Sequence, residues 1–148
     1  MTPNTEYRDG DILISADKSK LDLKVIHGFL SKTYWAEGIT QDLVQKSIDH
    51  SLCFGVYHKN RQIGFARIIS DFTTFAYLAD VFILKDFRGK GLSKKLMDCV
   101  LSHPDLQRLR KWMLATLDAH GLYKQYGFRQ LKNPEYMMEL HNPDYLKK

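Results

Sequence analysis

The sequence predicts a mixed α/β fold, a single domain over residues 1–148 built on a central mixed, mostly antiparallel sheet of six to seven strands. Three observations predict it. The hydrophobic period is helical through residues 21–48 and switches to strict alternation from Leu52. FAYLADVFIL (75–84) is too apolar for an exposed strand and reads as a central strand covered on both faces. Between that strand and KWMLATL (111–117) lies one helical stretch, and strands joined through a helix pair in parallel.

The elements follow in chain order. DILISAD (11–17) is a short strand. Val25, Ile26, Phe29 and Leu30 share one face of a helix within 21–34. Thr40 is a natural N-cap, with Asp42 in the first turn, for a helix carrying Leu43, Val44 and Ile48. Leu52, Phe54 and Val56 alternate with Cys53, Gly55 and Tyr57. HKNRQ then makes a polar tip, with Asn60 suited to positive φ, before the returning strand QIGFARIIS. Beyond the central strand, Leu92, Leu96, Met97, Val100 and Leu101 form one apolar helical stripe that Ser102, His103 and Pro104 end. KWMLATL reads as another buried strand. DAHGLYKQYGF is a short helix stopping at Gly127, a C′ glycine. Residues 128–131 and 136–141 are two last strands around an Asn133-Pro134 turn.

Composition narrows the function classes. With 148 residues, 44% apolar and 26% charged, the chain is ordinary globular material. No run approaches the ~18 apolar residues of a membrane span, and the polar N-terminus does not read as a signal peptide. Cys53 and Cys99 lack CxxC spacing and read as free thiols in a reducing, cytoplasmic setting. None of the six histidines has metal-ligand spacing, so no metal is expected. A formal charge of +5 points to an anionic partner. The cations gather at one turn rather than along an interleaved aromatic surface, which argues against a nucleic-acid module.

That turn is DFRGKGLSKK (86–95). A strand that leaves through a glycine turn into a helix makes an anion site: converging main-chain N–H groups, a helix N-terminus, and here Arg88 and Lys90. The third glycine of a dinucleotide fingerprint is missing and no Walker A spacing is present. Arg88-Gly89-Lys90-Gly91-Leu92-Ser93 resembles the Q/R-x-x-G-x-G/A signature of the GNAT superfamily of N-acetyltransferases, with Ser93 in place of the final Gly/Ala. LYKQYGF (122–128), roughly thirty residues on, resembles the family's Y-x-x-x-G-F helix. The likeness covers most of the chain and is strongest over 50–128.

The resemblance implies a GNAT fold with helices on both faces of the sheet and a splayed parallel strand pair. It implies acetyl-CoA as co-substrate, with the N–H groups of Arg88, Gly89, Lys90, Gly91, Leu92 and Ser93 on its pyrophosphate. The pantetheine arm would run along Val81, Phe82 and Ile83, with Thr116 a further contact. The N–H of one of the three, Phe82 first, would polarise the thioester carbonyl. Tyr123 takes the position of the general-acid tyrosine, with Tyr126 as rival. The base is open. Asp80, the one carboxylate in FAYLADVFIL, is either that base or a core group paired with Arg67, and Asp118 and His120 are further candidates. Tyr34, Trp35, Phe75 and His120 are candidate acceptor contacts. The implied activity is direct transfer of acetyl to a primary amine, on a small molecule rather than a protein, with no nucleic-acid or membrane partner; a homodimer is compatible. The alternative is an acyl-CoA-binding or sensing domain without catalysis.

Overall fold

The computed structural model describes residues 5–147. Among them the elements run β1 (Glu6–Asp9), β2 (Ile12–Ser15), α1 (Leu23–Leu30), α2 (Gln41–Asp49), β3 (Leu52–His58), β4 (Arg61–Ser70), β5 (Phe75–Ile83), α3 (Leu92–Ser102), β6 (Lys111–Leu114) and α4 (His120–Lys124), with short 3₁₀ turns between. The chain divides into two compact units, one ending at Ala115 and the other beginning at Thr116.

The first unit is a six-stranded sheet in the order β1-β2-β3-β4-β5-β6. Every neighbouring pair is antiparallel except β5–β6, which is parallel, with Phe75 opposite Lys111 and Leu78 opposite Leu114. The hairpin between β3 and β4 turns on Lys59 and Asn60, both at positive φ (49° and 69°), as a two-residue turn matching the strand twist requires. Thr40 caps α2, its hydroxyl accepting from the Leu43 N–H at 3.3 Å. Asp22 does the same for α1, through the N–H groups of Lys24 and Val25.

Adjacent residues of a strand face opposite sides of a sheet. Cys53 joins Ile26, Leu30, Val44, Ile48, Phe65 and Phe82 in one buried cluster, so α1 and α2 cover one face. Phe54 meets the His103 ring at 5.8 Å, just past the end of α3, which places α3 against the other face. Each fully buried side chain of this size contributes ~1.5–3 kcal/mol, and Phe54, Phe65, Leu96 and Met97 are all fully buried.

Two expectations are corrected, one strand is added and one helix is narrowed. The polar segment before β2 forms the edge strand β1. Its residues are all exposed, so no apolar alternation marks it. The helix within 21–34 is confined to Leu23–Leu30. β6 is half-buried rather than buried, because it lies at the sheet edge. The segments 128–131 and 136–141 form no strands: neither finds a neighbour to pair with, and an unpaired strand gains nothing from its ladder. In the second segment the apolar side chains stand exposed, Met138 at 95% and Leu140 at 100%.

Candidate active site

The glycine turn joins β5 to α3 through a 3₁₀ turn, Lys85–Phe87. Gly89 and Gly91 take φ of 80° and 76°, which any side chain would strain. A Cβ at either position would meet nothing within 4 Å, so the space above the turn is open and the requirement is conformational. Gly91 is the N-cap of α3 and supplies no side-chain cap. The first helical bond runs from the Lys95 N–H to the Gly91 carbonyl (3.2 Å), so the amides of Leu92 and Ser93 lie before the ladder begins. The Arg88 N–H does not join them, since it donates to the Lys85 carbonyl at 3.2 Å. Arg88 also ties the turn to the strand, its Nε donating to the Ile83 carbonyl at 2.8 Å. Lys90 Nζ lies 5.6 Å from the centre of the Phe87 ring. Whole charges and unused amides therefore meet where an anion would fit.

The second feature is a gap. β6 pairs with β5 only as far as Leu78, and β5 continues through Ile83 without it. Opposite Ala66 of β4 the register slips, and Asp80 and Val81 face one residue. Asp80 takes a left-handed φ of 53° at this bulge. The slip inverts the direction of the backbone groups. Before it, the Thr74 carbonyl accepts from the Arg110 N–H, so even-numbered residues turn toward β6. After it, the Leu84 N–H donates to the Ile63 carbonyl at 2.7 Å, so even-numbered residues turn toward β4. The Phe82 N–H thus belongs to the β4–β5 ladder, contrary to the expectation that it faces the cofactor. Val81 and Ile83 turn into the gap, and the Ile83 carbonyl already meets Arg88 there. The Phe82 side chain faces the core, stacked on Phe29 at 4.1 Å.

At the same bulge the Asp80 carboxylate holds two partners. Oδ2 accepts from Arg67 Nε at 2.8 Å and Oδ1 from Trp35 Nε1 at 2.9 Å. Arg67 continues to the Ser51 hydroxyl at 3.2 Å. The ion pair is largely buried, with side chains 17% and 10% exposed, and removing one member of such a pair costs ~3–5 kcal/mol. Tyr34 meets Trp35 edge-on at 5.1 Å, and both rings are exposed. Phe75 stands apart from them. It is five residues before Asp80 on the same strand, about 17 Å away at the ~3.3 Å rise of a strand.

The second unit carries α4. Tyr123 is buried, with its ring 5.9 Å from Phe128, and burial pushes its hydroxyl pKa up. The helix closes as a Schellman motif: Phe128 N–H to the Tyr123 carbonyl, Gly127 N–H to the Lys124 carbonyl, and Gly127 at φ 91°. Thr116 is engaged locally, its hydroxyl accepting from the Ala119 N–H at 3.0 Å. His120 and Asp118 are exposed, and Tyr126 is half-buried. Both cysteines are free. Burial pushes the Cys53 thiol up to about 12 and the Cys99 thiol to about 11, so neither is a nucleophile near neutrality. Among the described residues no group of three or more His, Cys, Asp or Glu could hold a metal, and no helix is long and apolar enough to cross a membrane.

Residues 49–130 match the family model described as an acetyltransferase (GNAT) domain. The chain belongs to the GNAT family of acetyltransferases. It is an acyl-CoA-dependent N-acyltransferase. A crystallised GNAT-family protein of Xanthomonas campestris is 53% identical, with a TM-score of 0.88 over 93% of this chain and 97% of its own. A Gibberella zeae protein assigned to the acetyltransferases is 29% identical over 89% of this chain and 87% of its own. A GNAT protein of Elizabethkingia anophelis, solved with acetyl-CoA bound, shares the fold with a TM-score of 0.62 at 15% identity, over 82% of this chain and 78% of its own. The six-stranded mixed sheet with its one parallel pair is the GNAT arrangement that the sequence motifs imply.

Proposed function

We propose that this GNAT protein transfers acetyl from acetyl-CoA directly to a primary amine within a ternary complex. The observation that carries the proposal is the gap beside β5, with two backbone amides turned into it and the open glycine turn at its end. The glycine turn fits a pyrophosphate by its chemistry: unladdered amides at a helix N-terminus, with Arg88 and Lys90 beside them. Bound acetyl-CoA supplies an acetyl group activated as a thioester. The Ile83 N–H pairs with the pantetheine arm as a neighbouring strand would. The Val81 N–H, rather than that of Phe82, donates to the thioester oxygen as negative charge develops on it. The amine nitrogen forms the new C–N bond, the C–S bond breaks, and the amine's surplus proton leaves to water. Tyr123 is assigned the proton for the departing thiolate, on its place in the Y-x-x-x-G-F helix and on a hydroxyl kept protonated by burial.

The test is release of free CoA from acetyl-CoA in the presence of spermidine, tyramine, glucosamine, free lysine and a lysine-containing peptide, with acetylated product identified by mass. Amine-dependent release with at least one small amine is expected. Release independent of every amine, or none while acetyl-CoA binds, would sink the proposal.

A further inference from the structure

We propose that Asp80 is a positioning residue that latches Trp35 in place as a wall of the acceptor site, and is not the base of the reaction. The inference rests on the acetyl-transfer reading above, which puts the reacting carbonyl at the Val81 N–H. Each carboxylate oxygen of Asp80 already accepts from a fixed donor, the Trp35 indole on one side and the Arg67 guanidinium on the other. Each oxygen keeps a second lone pair, but an ion-paired carboxylate with a fixed donor on both oxygens is built to hold those donors rather than to collect a proton. A latch uses both.

Three further observations favour the latch. Trp35 belongs to the segment between α1 and α2, and its bond to Asp80 spans 45 residues of sequence, so it holds that segment to the bulge. Trp35 remains 46% exposed while the only polar atom of its ring is bonded to Asp80, which leaves the apolar part of the side chain as its free surface. Tyr34 packs edge-on against it and is itself 67% exposed, so the two rings form one exposed aromatic corner. The path from Trp35 Nε1 through Asp80 to the Val81 nitrogen is about 10 Å along bonds, so the indole nitrogen lies within that distance of the amide assigned to the thioester oxygen. An amine arrives mostly as ammonium, and the faces of Trp and Tyr attract ammonium without needing a free carboxylate.

Three variants test this: Asp80→Asn, Asp80→Ala and Trp35→Phe, assayed with spermidine and tyramine as probe amines. Asn tolerates the left-handed φ and its amide oxygen can still accept from the indole. Asp80→Asn should therefore keep kcat within a few-fold of the parent at every pH, with KM for the amine nearly unchanged. Asp80→Ala and Trp35→Phe should each raise the amine KM about tenfold, with kcat and acetyl-CoA affinity little altered. In a Trp112→Phe background, Trp35 emission should shift red and be quenched more by acrylamide in Asp80→Ala than in Asp80→Asn. A fall in kcat of ~10²-fold or more in Asp80→Asn, recovering at high pH, would make Asp80 the base and overturn the proposal. Unchanged Trp35 emission in a folded Asp80→Ala variant would also overturn it. If Asp80→Ala does not fold, an unchanged amine KM in Trp35→Phe overturns it instead. Failure of the parent to use either amine counts against the acetyl-transfer reading, while the fluorescence comparison still decides the latch.

Discussion

Burial holds the Tyr123 hydroxyl above its ordinary pKa near ~10. The sign is simple: a raised pKa keeps the proton on, so the group remains an acid donor at every pH up to about 10. The acceptor amine behaves the other way and becomes reactive as pH rises. The parent rate should therefore climb toward pH 9 with no descending limb, measured as initial CoA release against pH. Tyr123→Phe should keep the ascending limb but lower the whole curve by ~10²-fold, with acetyl-CoA affinity intact. An unaffected Tyr123→Phe with a slow Tyr126→Phe would move the role to Tyr126. Residues of this kind are legible in sequence because their motif fixes both spacing and side-chain type. The partner of Asp80 was half legible: a lone carboxylate in an apolar strand needs a counter-charge, and Arg67 on the next strand is the obvious donor. Trp35 as the second partner left no local signal, since 45 residues separate the two.

At the scale of elements, the bulge in β5 matters more than any one side chain. The resemblance puts the cofactor at the Phe82 amide, and an unbulged strand counted by twos from Leu78 would turn that amide into the gap. One extra residue at Asp80–Val81 turns the amides of Val81 and Ile83, rather than that of Phe82, into the gap. Period-2 reasoning cannot see this, because a bulge marked only by an aspartate in a left-handed conformation leaves the apolar pattern intact. Amide hydrogen exchange separates the two registers. Without ligand the Phe82 amide should be protected by the β4 ladder, while Val81 and Ile83 exchange quickly. With acetyl-CoA the latter two should slow by at least tenfold, with Phe82 unchanged. Acetyl-CoA protection appearing at Phe82 alone would restore the unbulged count. The same limit explains the last two predicted strands. Alternating apolar residues say that a segment could be a strand, and only a neighbouring strand makes it one.

At the scale of the whole molecule, the claim that this fold binds acetyl-CoA is a claim about its stability. A ligand that binds only the folded state adds ~2.7 kcal/mol at a hundred times its Kd. For a chain near 150 residues that corresponds to a rise in Tm of roughly 5–10 °C. Gly91→Glu should remove the rise for two separable reasons. The substitution strains a φ of 76°, which costs ~1–2 kcal/mol with or without ligand and lowers the starting Tm. It also places a carboxylate beside the amides meant for a pyrophosphate, which acts only on the ligand-induced shift. Because a Cβ at this position meets nothing within 4 Å, the variant should still fold. Gly91→Asn separates the two causes, since Asn tolerates positive φ and carries no charge. Its starting Tm should fall less than that of Gly91→Glu, and it should keep part of the acetyl-CoA shift that Gly91→Glu loses. Differential scanning fluorimetry with and without acetyl-CoA reads both quantities in one experiment. A full shift in Gly91→Glu would mean that the glycine turn is not where this protein holds phosphate, however well the turn's geometry suits one.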